Sequence, residues 1–151
     1  MESKFEVVII GSGPGGYVAA IKAAKLGLHT AIIEEAEVGG TCLNRGCIPA
    51  KAMIHAASLY REIKESERFG ICVKEVTYDF EEILKNKEEV SLNLRQGIEQ
   101  LFISNGVTLI RGKAKLLNLE LPQSQRDHEK SIQVQMQEET MMLKAKSVML
   151  A

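Results

Sequence analysis

The run Phe5-Glu6-Val7-Val8-Ile9-Ile10, followed at once by Gly11-Ser12-Gly13-Pro14-Gly15-Gly16, constrains the fold of this chain more than any other feature. A short β-branched run of this kind reads as a strand buried on both faces, as in a parallel sheet. Gly11 suits a tight turn at its end, Pro14 fits the first turn of a helix, and Gly16 lets that helix pack close to the strand. Tyr17 to Leu26 carries Ala19, Ala20, Ile21, Ala23, Ala24 and Leu26, a small-residue helix that Gly27 is placed to end. A second strand, His29-Thr30-Ala31-Ile32-Ile33, comes next, and Glu34 stands at its carboxyl end, 18 residues after Gly16. The parts make one βαβ unit and predict an α/β, Rossmann-like fold.

A glycine-rich turn alone marks only a tight strand-to-helix connection. The strand before it, the helix after it and the acid at the proper distance are separate conditions, and together they predict a dinucleotide site. In that reading Gly13 lets the backbone approach a pyrophosphate, and the N–H groups of the helix N-terminus meet its charge. Glu34 is placed for a ribose hydroxyl that carries no 2′-phosphate.

The second motif is Gly39-Gly40-Thr41-Cys42-Leu43-Asn44-Arg45-Gly46-Cys47-Ile48-Pro49-Ala50-Lys51. Two cysteines in a chain of this size can be ordinary buried thiols or half of a zinc site. No second Cys or His pair follows at finger-like spacing, and His55 lies within a segment that looks helical, so no metal site is expected. Cys47 stands just before the helical pattern Ala50 to Glu65, where a helix N-terminus lowers a thiol pKa, so the pair suits a redox disulfide. Arg45 either adds a positive charge there or points into solvent.

The stretches GPGGYVAAIKAAKLG and GGTCLNRGCIPAK resemble the amino-terminal part of the dihydrolipoamide dehydrogenase family, within the flavoprotein disulfide reductases. Glutathione and mercuric reductases share the two-cysteine frame. The contexts Tyr17-Val18-Ala19-Ala20, Cys42-Leu43-Asn44 and Cys47-Ile48-Pro49 are most similar to the lipoamide enzymes. The resemblance implies Gly11, Gly13, Pro14, Gly15 and Gly16 on the pyrophosphate of FAD and Glu34 on its adenosine ribose. Gly40, Thr41, Cys42 and Lys51 also fall among its cofactor-binding positions, Lys51 against the flavin ring. Cys42 is then the interchange thiol that exchanges with the dithiolane, and Cys47 the charge-transfer thiolate beside the isoalloxazine. Ala114, in Arg111-Gly112-Lys113-Ala114, matches a turn that touches FAD through its backbone, although glycine is commoner there, and Ala50 stands where many members have serine. The implied reaction is oxidation of protein-bound dihydrolipoamide through the Cys42–Cys47 disulfide and FAD to NAD, with a lipoyl domain of a 2-oxo acid dehydrogenase complex as partner. Nothing here matches the family's histidine base: His29, His55 and His128 fall outside its motif.

The remaining chain reads as scaffold. Asp79-Phe80-Glu81-Glu82 has the order of a helix start, and Phe80, Ile83, Leu84, Val90, Leu94, Ile98 and Leu101 recur at helical spacing up to Asn105-Gly106. Its Glu81, Glu82, Lys85, Lys87, Glu88 and Glu89 read as a solvated face. From Val107 the period changes toward alternation. Val107 to Ile110, Lys115 to Leu117, Ser131 to Met136 and Met141 to Leu143 are candidate strands of a small antiparallel β-meander, with Pro122 to Lys130 an exposed hairpin loop. Lys146 to Ala151 reads as a further, returning strand.

A hydrophobic share of 45%, a charged share of 26% and a net charge of −1 fit a globular chain and give no field for nucleic acid. No apolar run is long enough to cross a membrane. The start leads directly into the first strand, which predicts no leader and a cytoplasmic location, where a disulfide is more plausibly catalytic than structural. Cys72 is expected to be a buried small hydrophobe. Against the resembled family, the 151 residues form the amino-terminal portion of an incomplete FAD domain, without the nicotinamide and dimerisation domains of the homodimer. Two readings follow: part of a longer NAD-linked enzyme, or a truncated flavin-binding or thiol module without turnover.

Overall fold

The computed structural model describes residues 3–117 and 129–151. Their elements run β1 Ser3–Ile10, α1 Pro14–Lys25, β2 Thr30–Glu34, α2 Gly40–Asn44, α3 Cys47–Lys64, a 3-10 turn Ser66–Phe69, α4 Phe80–Asn105, β3 Thr108–Arg111, β4 Lys113–Leu116, β5 Lys130–Gln135 and β6 Thr140–Leu150. Two compact units hold them, one of Met1–Gly40 with Arg95–Ala151, the other of Thr41–Leu94.

The first unit is organised by a sheet with strand order β3-β2-β1-β6-β5-β4. The strands β3, β2, β1 and β6 are parallel, with Ile9 opposite Ile32, Ile33 opposite Ile110 and Val8 opposite Val148. The strands β6, β5 and β4 form an antiparallel meander. β6 is long enough to serve both: Leu143 to Leu150 run beside β1, while Thr140 to Ala145 pair with β5. Gly112 alone separates β3 from β4, yet these strands stand at opposite ends of the order, so the sheet must fold over on itself. The overlap is the core: Val8, Ala31, Ile33 and Ile110 of the parallel strands cluster with Ile132, Val134, Leu143 and Ala145 of the meander. Met136 and Met141, partly buried, pack against that cluster. Alternation along a strand turns Ile9 and Ile32 to the other face, where both are buried and where α1 lies against β1 and β2.

The βαβ unit forms as the sequence predicts. Pro14 opens α1, and Gly27, at a φ of 85°, lies just past its end. The meander differs in detail. Thr108–Arg111 is not part of it: β3 pairs parallel with β2 and extends the dinucleotide-type sheet. Its half-exposed pattern is that of an edge strand, and alternation carries no information about strand direction. Met141 to Leu143 and Lys146 to Leu150 belong to one strand, not two. The loop expected at Pro122 to Lys130 lies, up to His128, outside the described residues.

In the second unit α3 runs 18 residues without a buried residue, and Tyr60 meets Tyr78 edge-on at 5.7 Å. α4 begins as predicted. The Asp79 carboxylate accepts hydrogen bonds from the backbone N–H groups of Glu81 at 2.9 Å and Glu82 at 3.2 Å, satisfying donors that have no partner within the helix. Cys72 corrects the sequence reading: it is exposed, because Gly70 turns the chain out of the 3-10 helix into a segment without regular structure.

Candidate functional site

The glycine turn of the first unit is built around close approaches. Gly11 sits at a φ of 97°, and a Cβ placed there would fall 2.1 Å from the carbonyl oxygen of Ala151. At Gly16 a Cβ would fall 2.0 Å from the Gly11 oxygen, so only glycine brings the first turn of α1 down onto the end of β1. Gly13 and Gly15 differ, since nothing lies within 4 Å of a Cβ at either. They leave room for a group to reach the backbone at the α1 N-terminus. That terminus has no side-chain cap and no acid in its first turn, and the first N–H groups of a helix lack intrahelical partners, so the place favours an anion. Gly40 approaches the same turn, where a Cβ would come 2.8 Å from the Cα of Gly13.

Glu34 ends β2 beside this turn, buried to 9% exposure. Its Oε2 accepts from the Ser12 backbone N–H at 2.9 Å and from the Ser12 hydroxyl at 2.6 Å, and its Oε1 accepts from the Ala36 N–H at 2.9 Å. Burial pushes the carboxyl pKa up, but these hydrogen bonds and the charge of Arg111 outweigh it and hold the group below its ordinary value. Gly11, Glu34, Gly112, Ala114 and Ala151 line one cavity of about 280 Å³. The structure thus brings Gly11, Glu34 and Ala114, three of the sequence candidates, to a single space. Ser12 was not among them, and neither was Arg111, which donates to the Ala36 carbonyl at 2.7 Å and pairs with Glu99.

The second unit holds the cysteine pair. Cys42 lies in α2, half-buried, and Cys47 is the first residue of α3, exposed, at the positive end of that helix. Gly46 makes the passage between the helices possible, because a Cβ there would press on the Thr41 oxygen at 3.1 Å and the Cys42 Cα at 3.3 Å. The two thiols are free, and Cys47 is near enough to act on the ionisation of Cys42. Cys42 is pushed above the ordinary thiol range, first by the neighbouring Cys47 side chain, then by burial and by negative charge at Cys47, while Lys51 pulls it the other way. Arg45 is exposed, as is Thr41, and Lys51 is the cation that acts on Cys42. Among the described residues no group of three or more His, Cys, Asp or Glu could hold a metal ion, and no helix is long and apolar enough to cross a membrane.

A nucleotide-type glycine turn beside a buried acid, in a chain that also carries a pair of free thiols at a helix start, defines an oxidoreductase of the dinucleotide-binding disulfide class. Residues 5–151 match the family described as pyridine nucleotide-disulphide oxidoreductase, and the chain belongs to that family. It is similar to a dihydrolipoyl dehydrogenase of Chlamydia pneumoniae, 49% identical over 118 residues, or 78% of this chain and 26% of the relative. It is likewise similar to mitochondrial dihydrolipoyl dehydrogenase 1 of Arabidopsis thaliana, 50% identical over 115 residues, or 75% of this chain and 23% of the relative. The chain therefore spans about a quarter of the length of the curated relatives it matches. Among solved structures it resembles a Cu(II) complex of the HOCl-induced flavoprotein disulfide reductase RclA from Escherichia coli, with a TM-score of 0.76 and 27% identity over 99% of this chain and 28% of that one. LpdA from Mycobacterium tuberculosis shares the fold, with a TM-score of 0.84 at 22% identity over 98% of this chain and 31% of that one.

Proposed function

We propose that this chain is the amino-terminal, FAD-binding part of a dihydrolipoyl dehydrogenase, which oxidises protein-bound dihydrolipoamide through Cys42 and Cys47 and passes the electrons by way of FAD to NAD. The observation that carries it is the pair of free thiols Cys42 and Cys47 at the start of α3, in a chain 49–50% identical over 115–118 residues to enzymes of that name. The residues fit the cofactor. Gly13 and Gly15 leave the α1 N-terminus open to a pyrophosphate, and Glu34 and Ala114 line the cavity beside the turn. When bound, FAD supplies the two-electron link between dithiol and nicotinamide.

The chain's own work is thiol exchange. Starting from the Cys42–Cys47 disulfide, a dihydrolipoyl thiolate attacks the Cys42 sulfur, forming a mixed disulfide and releasing Cys47 as thiolate. The second lipoyl thiol, once deprotonated, attacks the lipoyl sulfur of that mixed disulfide. The lipoyl disulfide closes, Cys42 leaves, and two electrons now reside on the cysteine pair. The environment then puts the proton on Cys42, whose pKa the neighbouring Cys47 raises, favouring its neutral form. A base for the lipoyl thiol, the NAD site, the second subunit of a homodimer and a cytoplasmic location belong to the complete protein in this reading, as does docking of a lipoyl domain.

The test is turnover in the complete protein with lipoamide, glutathione and mercuric ion offered in parallel. Alanine at Cys42 or at Cys47 is expected to abolish lipoamide-dependent NAD reduction. Retained turnover in either variant, or preference for glutathione or mercuric ion, rejects the assignment.

A further inference from the structure

The hydrogen bonds around Glu34 do more than bury an acid. The Ser12 side chain is fully buried, and its hydroxyl and backbone N–H both converge on the same oxygen of Glu34. The other oxygen is held by Ala36, whose own carbonyl is held by Arg111. The carboxylate therefore ties the glycine turn to the chain after β2, and the Arg111 side chain joins the end of β3 to the same stretch through the Ala36 carbonyl. A carboxyl group at the end of a glutamate side chain rotates freely unless something stops it, and its protonated form offers a donor where the ionised form offers only acceptors.

We propose that Ser12 is a positioning residue of the dinucleotide site: its hydroxyl locks the Glu34 carboxylate in one orientation and as an acceptor, so that the acid is held ready for ribose hydroxyls. The inference rests on the flavin reading above and adds a residue to it. Ser12 makes no contact with the cofactor in this account and acts through Glu34. The other charged groups facing Glu34 are Arg111 from the end of β3, and Glu35 and Lys113, which line the same cavity. Arg111 favours the carboxylate through its charge.

The experiment uses the complete protein and reads two quantities. The first is the Glu34 carboxyl titration by carbon NMR without flavin, assigned by loss of the signal in Glu34→Gln. The second is the affinity for FAD, by quenching of flavin fluorescence, at pH values on either side of that titration. Ser12→Ala is expected to move the Glu34 midpoint upward and to weaken FAD binding about 10-fold, as loss of a hydrogen bond to a charged acceptor predicts. Ser12→Cys, nearly the same size and a weaker donor, should fall between, and it carries the test if Ser12→Ala does not fold. In a Glu34→Gln background the same substitutions should change FAD affinity less than 2-fold, since the carboxylate they act on is gone. An unmoved Glu34 midpoint, or an equal loss of affinity in both backgrounds, overturns the role of Ser12 while leaving the flavin reading intact. Absence of FAD binding by the unchanged complete protein overturns the flavin reading itself, and the positioning role falls with it.

Discussion

Glu34 shows how a single side chain sets conditions on the residues around it. Burial favours the neutral acid, yet Ser12, Ala36 and Arg111 leave the net effect on the side of the carboxylate. The linkage has a definite sign. A depressed pKa contributes stability that is fully present above the unfolded carboxyl value of about 4.3 and is lost as pH falls through the lower folded value. Paired thermal melts of the chain and of Glu34→Gln should accordingly show a stability gap that is constant near neutrality and closes in acid; a gap independent of pH contradicts the assignment. Gly16 makes a sharper demand. Alanine there places a Cβ 2.0 Å from the Gly11 oxygen, a backbone atom that cannot swing aside, so Gly16→Ala should cost at least the ~1–3 kcal/mol of ordinary overpacking in a urea titration. Of these residues the sequence made Glu34 and Gly16 legible, because a spacing rule connects them. It was silent on Ser12 and Arg111, because a hydrogen bond spanning 22 or 75 positions leaves no periodicity behind.

Among the elements, those with local signals were the ones that could be read. α1 announces itself through Pro14, its alanines and Gly27, and α4 through Asp79 and a helical repeat. The Asp79 cap is open to direct test: Asp79→Ala should cost about 1 kcal/mol and Asp79→Asn much less, with hydrogen exchange speeding up first at Glu81 and Glu82. Equal effects of the two substitutions would argue that the cap bonds contribute nothing. Strand identity was legible too, but strand partnership was not. The direction of β3 and the fusion of two short runs into β6 depend on which edge each segment meets, and that is decided by distant residues such as Ala31 and Phe5. The exposure of Cys72 failed for a similar reason, since its short apolar context Ile71-Cys72-Val73 looks the same in a core and on a surface.

At the scale of the molecule, burial is unevenly shared. The parallel strands and the meander enclose Val8, Ile33, Ile132, Val134 and Leu143 almost without exposure, whereas α3 buries no residue. Protection against amide exchange should follow that division, with β1, β2 and β6 opening only in global unfolding and α3 opening at much lower free energy. Comparable protection in α3 and β1 would contradict it. The pairing of β1 with β6 has a further consequence during synthesis. β1 emerges well before the strand that becomes its neighbour, Phe5 pairing with Ala145, so at roughly 5–20 residues per second it waits on the order of ten seconds or more with one edge unpaired. For that interval an apolar strand rich in valine and isoleucine is open to other nascent chains, which makes the speed of translation, and whatever shields the emerging polypeptide, part of what decides how much of this protein reaches its folded state.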